Sequence, residues 1–339
     1  MGSKTEIEWT RGDDGSPGAT WNPIRARRGS VRMGTAKIGW ACTKVSPGCT
    51  HCYAERLNRV RGTGADYSVS ALKDVELFLD ETILTQPLRW KRPRRIFACS
   101  MTDLFEERVL NEWIDKVFAV MALATQHTFQ VLTKRAERMQ SYCAALGKSF
   151  VRLKASCPTG WTMEYEGIPL VAWPLPNLWL GVSVENQARA DERIPWLLKT
   201  PAAVRFLSVE PLLGPVDLSE WVCSGADGQP MEKSGPPISW VIAGGESGGP
   251  PERALVTRES WHGQGVTKHG PWEPTSEALE WVRSLRDQCA SAGVPFFFKQ
   301  WGGVRKKKTG RELEGRTWDE MPQQGQLTRY FSNDWSSLL

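Results

Sequence analysis

The chain has no apolar run approaching the ~20 residues that a membrane-spanning helix needs. Its first residues, Met1-Gly2-Ser3-Lys4-Thr5-Glu6-Ile7-Glu8, hold no apolar signal core. A soluble, cytoplasmic protein with no membrane partner is expected. A strong charge of either sign is also missing: 43 Lys and Arg against 38 Asp and Glu leave +5. That balance permits a nucleic-acid partner without demanding one. No internal repeat stands out, and no second Cys-x-x-Cys pair accompanies the first. Eight cysteines in 339 residues, with no signal segment, do not make a disulfide framework.

What is present is enough apolar material for a sizeable core, 40% of the residues. The 17 tryptophans supply large buried area. Five cysteines, Cys99, Cys143, Cys157, Cys223 and Cys289, are scattered and read as small buried hydrophobes. Cys42, Cys49 and Cys52 are clustered and need another explanation.

Residues 1–60 read as irregular. Within them Arg25, Arg27, Arg28 and Arg32 form a basic stretch, either a solvated loop or a phosphate-contacting arm. Beyond it, six short apolar runs each end in polar residues: 95–99, 129–132, 178–182, 204–207, 240–243 and 295–298. Continuous apolar runs of this length predict parallel strands buried on both faces. Helical spacing over Asn111–Thr125 and Glu277–Ala292, the latter stopped by Gly293, predicts strand–helix–strand units. In a β/α barrel the polar strand ends would line one mouth; alternatively they cap the next helices. A single domain over 1–339 is expected: an N-terminal segment and cysteine loop to 60, a barrel over 61–302 and a tail from 303. Three Gly-, Pro- and Ser-rich segments, 148–176, 222–237 and 248–274, read as inserted loops.

The central segment is Gly39-Trp40-Ala41-Cys42-Thr43-Lys44-Val45-Ser46-Pro47-Gly48-Cys49-Thr50-His51-Cys52-Tyr53-Ala54-Glu55. Six residues separate the first two cysteines and two separate the second pair. Thiolates in such a loop bind zinc or an iron–sulfur cluster. Structural zinc wants four ligands, and the neighbouring fourth candidate is His51, adjacent to Cys52. Three ligands suit a [4Fe–4S] cluster with one open iron; zinc stays as the alternative.

The chain resembles the phage Gp37/Gp68 family of three-Cys-motif proteins, DUF5131, which is similar to radical SAM enzymes. The resemblance rests on Thr5-Glu6-Ile7-Glu8-Trp9-Thr10, Thr20-Trp21-Asn22-Pro23, Val45 to Glu55, Ser100-Met101-Thr102-Asp103-Leu104-Phe105, Leu132-Thr133-Lys134-Arg135, Leu180 to Asn186, Leu207 to Leu212, Gly244-Gly245-Glu246-Ser247-Gly248 and Phe298-Lys299-Gln300-Trp301-Gly302. It implies an α/β fold, a partial (β/α) barrel of radical SAM type. It also implies a [4Fe–4S] cluster on Cys42, Cys49 and Cys52, with S-adenosylmethionine as cosubstrate and a 5′-deoxyadenosyl radical as the reactive species. The usual spacing in radical SAM enzymes is three residues then two, so the six-residue gap departs from it.

Tyr53 resembles the aromatic that contacts the adenine of S-adenosylmethionine, or packs beneath the loop. Ser183, Glu185, Ser208 and Glu210 are expected to hold that cosubstrate's polar groups, or, for the two glutamates, to pair with basic residues. Gly244, Gly245 and Glu246 form a turn that lets backbone approach a ligand. Lys134, Glu210 and Lys299 are the candidate catalytic residues. The lysines suit a phosphate-bearing substrate, or pair with Asp103 or Glu246. The implied partners are a nucleic acid as substrate and an electron donor such as flavodoxin or ferredoxin. A small metabolite or peptide substrate, and a zinc-stabilised binding protein without catalysis, are the alternatives.

Overall fold

The computed structural model describes residues 4–147, 156–159, 173–222, 238–250, 253–257, 260–262, 265–267, 272–303 and 306–322. Most of the expected inserted loops 148–176 and 222–237, parts of 248–274, Cys223, Arg305 and the end of the tail lie outside them; the described part of 248–274 holds two short antiparallel pairs, Val256–Thr257 with Glu273–Pro274 and Ser260–His262 with Gly265–Thr267.

Ten strands matter for the site. They are β1 (Ala19–Trp21), β2 (Ile24–Arg28), β3 (Lys37–Gly39), β4 (Val75–Leu79), β5 (Arg95–Ala98), β6 (Thr128–Thr133), β7 (Leu178–Ser183), β8 (Val204–Val209), β9 (Trp240–Gly244) and β10 (Phe296–Gln300). The principal helices are α1 (Tyr53–Arg61), α2 (Asn111–Leu123), α3 (Ala136–Gly147), α4 (Gln187–Leu198) and α5 (Ser276–Ala292).

The chain divides into two compact units, 1–182 with 199–203, and 183–198 with 204–339. In the first, parallel strands run in the order β1-β5-β6-β7. In the second they run β8-β9-β10, again parallel. Within the first unit the order of β5, β6 and β7 follows the chain, with α2 and α3 in the connections; within the second that of β8, β9 and β10 does, with α5 before β10. Right-handed crossovers that always step the same way wind a sheet singly, as in β/α barrels. A doubly wound sheet reverses direction at a switch point. The fold is therefore α/β of the partial-barrel class.

The six predicted strands are six of these seven. Burial explains why they were legible: β5, β7, β8 and β9 are buried at every residue, so both faces demand apolar side chains. The seventh, β1, has three residues and no pattern to read. In the second unit α5 begins at Thr275, whose Oγ1 accepts the Ala278 N–H at 3.2 Å, and stops at Gly293 with φ +66°. It buries Ala278, Val282, Leu285 and Cys289, a stripe spaced four, three and four residues apart.

The first 60 residues are not irregular. They hold β1 to β3 and α1, and β2 pairs antiparallel with both β3 and β4. The basic stretch is largely strand β2, with a partly alternating burial pattern. Arg25 donates to the Gly39 carbonyl at 3.1 Å and stacks on Trp40, and Arg27 pairs with Glu76 at 2.7 Å. Half of that basic stretch is thus neutralised or stacked inside the unit.

Candidate metal centre and strand ends

The cysteine loop leaves β3 at Gly39 and ends where Cys52 caps α1. Two residues of α1, Glu55 and Asn58, lie three apart and so share a helix face. Both are buried, and both hold the loop. Asn58 Oδ1 accepts the Trp40 N–H at 3.0 Å, and its amide donates to Thr63 Oγ1 at 2.8 Å and the Ala65 carbonyl at 2.9 Å. Gly39 is required here, because a Cβ would lie 2.4 Å from Asn58 Oδ1. Glu55 accepts the Tyr67 N–H at 2.9 Å and pairs with Lys44 at 2.9 Å. Cys42 and Cys52 pack against the buried cluster of Trp40, Ala54, Tyr67 and Met101.

Cys42, Cys49 and Cys52 are half-buried free thiols; Cys99, Cys143 and Cys289 are buried as expected, whereas Cys157 is only half-buried. Burial, then the Asp103 carboxylate, push the Cys42 thiol up to about 12, while Arg135 pulls it down and Cys52 adds to the rise. Burial also raises Cys52; the Glu55 and Ala54 amides at the start of α1 oppose it, Cys49 adds to it and Lys134 lowers it. Cys52 is thus the thiol that acts on Cys42 and is acted on by Cys49. Among the described residues no three His, Cys, Asp or Glu side chains form a group that could hold a metal ion. The donor chemistry nevertheless fits a metal: three half-buried sulfurs on one loop, a helix start behind the third, and cationic side chains facing two of them.

The ends of β5 and β6 adjoin this loop. Cys99 leaves β5 with φ +54°, a left-handed conformation that a non-glycine residue seldom adopts. The next residues are fixed by Asn22, whose Oδ1 accepts the Met101 N–H at 2.9 Å. Asp103 is buried. Its Oδ1 accepts from Thr133 Oγ1 at 2.7 Å, and its Oδ2 from the Lys134 N–H at 3.0 Å and Arg135 Nη1 at 3.1 Å. Arg135, not Lys134, is the cation paired with Asp103. Among the described residues the Lys134 ammonium has no carboxylate partner. The Tyr53 ring is 45% exposed rather than packed beneath the loop, and its hydroxyl donates to the Ser100 carbonyl.

In the second unit, strand-end groups close on one another. Glu185 is fully buried and pairs with Arg193 at 2.9 Å; the same guanidinium donates to the Ser183 carbonyl at 2.8 Å. Ser208 is buried, and its carbonyl accepts the Val184 N–H at 2.9 Å. Lys299 donates to both oxygens of Glu210, at 2.7 and 2.9 Å, and so pairs with neither Asp103 nor Glu246. Glu246 pairs with Arg253 at 2.8 Å. The carbonyl of Gly244 accepts the Leu212 N–H. Gly245 is needed for close backbone approach, but to the chain itself: a Cβ there would lie 2.2 Å from the Trp301 carbonyl oxygen. Asn58, Glu55 and Tyr67, which hold the loop, carry no motif of their own in the sequence. Their one signal was the i, i+3 spacing of Glu55 and Asn58 directly after the third cysteine.

Fold and site together define a parallel α/β protein with a three-cysteine loop beside the strand ends of its first unit. The chain matches the family described as a protein of unknown function, DUF5131, over residues 4–264 and 273–322, and belongs to that family. No curated protein matches it. Among solved structures it is similar to a mutant of spore photoproduct lyase, at 10% identity and a TM-score of 0.40, over 76% of this chain and 73% of that one. No helix among the described residues is long and apolar enough to cross a membrane.

Proposed function

We propose that this chain is an iron–sulfur enzyme of the radical SAM type, acting on a nucleic-acid base. The observation that carries the reading is the cysteine loop: three half-buried free thiols, with Cys42 and Cys52 packed on one apolar cluster, set against the ends of parallel strands. Cys42, Cys49 and Cys52 would hold a [4Fe–4S] cluster. When bound, such a cluster supplies one-electron cleavage of S-adenosylmethionine, and with it hydrogen abstraction from an unactivated carbon.

The chain's own residues bind and orient. Tyr53, with its hydroxyl tied to Ser100, presents a half-exposed ring beside Cys52 on which an adenine can stack. Lys134 brings a positive charge close enough to act on Cys52, suited to a carboxylate or a phosphate. The Trp40, Ala54, Tyr67 and Met101 cluster keeps water from one side of the Cys42 and Cys52 thiols. The net charge of +5 favours a polyanionic substrate. A flavodoxin or ferredoxin would supply the electron.

Anaerobic purification with iron and sulfide tests the centre. A brown protein with about four irons per chain supports it; a colourless one with a single zinc overturns it. Incubation of the reduced protein with S-adenosylmethionine should then release 5′-deoxyadenosine, faster when single-stranded or duplex nucleic acid is present. Release that nucleic acid does not change would overturn the substrate class.

A further inference from the structure

The six-residue gap between Cys42 and Cys49 is anchored near its start. Thr43, directly after the first cysteine, is held by Arg135: Nη2 donates to the Thr43 carbonyl at 3.2 Å and to its Oγ1. The single Thr43 hydroxyl proton is shared between, or alternates over, Glu106 at 3.3 Å and Glu107 at 3.4 Å. Lys44 follows, with its N–H on the Tyr67 carbonyl at 3.3 Å and its ammonium on Glu55 at 2.9 Å. The Arg135 guanidinium is itself fixed from three sides. Nε donates to Glu107 at 2.9 Å, Nη1 to Asp103 at 3.1 Å, and Nη1 lies 3.9 Å from Cys42 Sγ. Its side chain is 6% exposed, so the charge near the sulfur is poorly screened.

We propose that Arg135 is a positioning residue that fixes the Cys42 end of the cysteine loop and sets a permanent positive charge against the Cys42 sulfur. The second half of this rests on the metal-centre reading above; the first does not. A planar fork with five donors can hold Asp103, Glu107 and Thr43 at once, which a lysine ammonium cannot do in the same geometry. Reduction of an iron–sulfur centre adds negative charge, so a buried cation beside one ligand favours the reduced form and raises the potential. The long first gap is, on this view, a strut: Thr43 and Lys44 give Arg135 and Glu55 something to hold.

The test uses the full chain with Arg135→Gln, Arg135→Lys and Thr43→Val. In the metal-free protein, hydrogen exchange is followed at the Lys44 and Cys49 amides. Arg135→Gln and Thr43→Val should speed it roughly tenfold or more, and Arg135→Lys less. After iron and sulfide loading, the midpoint potential is read by redox titration. Arg135→Gln should shift it to more negative values, Arg135→Lys should return it toward the wild type, and Thr43→Val should leave it in place. Unchanged exchange in both Arg135→Gln and Thr43→Val overturns the positioning role. Equal potentials in the Gln and Lys variants overturn the charge role. If the wild-type chain takes up no iron, the metal-centre reading fails, and the exchange experiment still decides whether Arg135 holds the loop. If Arg135→Gln does not fold, Thr43→Val carries the exchange comparison and Arg135→Met takes the place of Gln as the uncharged variant set against Arg135→Lys.

Discussion

Lys134 and Lys299 both sit at the ends of parallel strands, one in each unit, and their surroundings differ. Lys299 is clasped by both oxygens of Glu210. Lys134 has no carboxylate partner among the described residues, because Asp103, the nearby acid, is taken by Thr133, the Lys134 amide and Arg135. The same contrast runs through the neighbouring residues. In the second unit Glu185, Glu210 and Glu246 each close on a basic side chain of that unit. In the first, the charged residues after β5 and β6 reach the cysteine loop. Paired strand ends stabilise a unit; strand ends beside three half-buried free thiols, with a lysine that has no carboxylate partner among the described residues, leave groups open to a ligand. The first unit is where chemistry is to be sought.

The sharpest way to break that contrast is at the sulfurs. Replacing Cys42, Cys49 or Cys52 singly with Ser should abolish nearly all iron uptake after anaerobic loading. Cys143→Ala, a buried core thiol in the same unit, should leave the iron content per folded chain unchanged. Iron that survives in the three loop variants, or is lost with Cys143, removes the site from the loop.

Next in size is the buried pair of the second unit. Glu185→Ala strands Arg193, whose side chain is 2% exposed, and should cost about 3–5 kcal/mol of unfolding free energy. Glu185→Leu with Arg193→Met should recover most of that, since the two buried charges leave together. Urea unfolding reads both. A Glu185→Ala protein as stable as the wild type would mean that this strand end is not locked in the way the pairing indicates. A smaller loss is expected of Gly245→Ala, about 1–3 kcal/mol, because the added Cβ meets the Trp301 carbonyl oxygen at 2.2 Å. A negligible change in unfolding midpoint would show that the Gly245 and Trp301 backbones separate freely.

The contrast between units also explains what the sequence disclosed. Strands β5 to β10 were legible because near-complete burial forces runs of apolar residues, visible at Leu178–Ser183 and Val204–Val209. The three thiols were legible because cysteines separated by six and by two residues have few other uses. The pairing of the strand-end acids was not legible. Glu185 finds Arg193 eight residues later, one helix face away, but Glu210 finds Lys299 eighty-nine residues later, and no local pattern announces such a meeting. The N-terminal segment was misread for a related reason. β1 and β3 have three residues each, too few to show a period, and the arginines of β2 find Trp40, Glu76 and Asp80 only after the sheet has formed.

The smallest expected effect concerns how the cysteine loop is held by α1. Burial alone would raise the Glu55 carboxyl, but the Tyr67 N–H, the Lys44 ammonium and Arg59 outweigh it and hold the group below its ordinary value of 4.5. The folded chain therefore takes up this proton at lower pH than the unfolded chain does. The stability contributed by Glu55 is fully present above the unfolded value and is lost as pH falls through the folded one. Unfolding free energy measured from pH 6 downward should drop more steeply for the wild type than for Glu55→Gln, with the two curves approaching in acid. The loop should loosen over the same window, read as faster exchange at the Tyr67 and Lys44 amides, because Glu55 holds the first directly and the second through the Lys44 side chain. Parallel acid limbs would place the anchor of the loop at Asn58 and Arg135 alone.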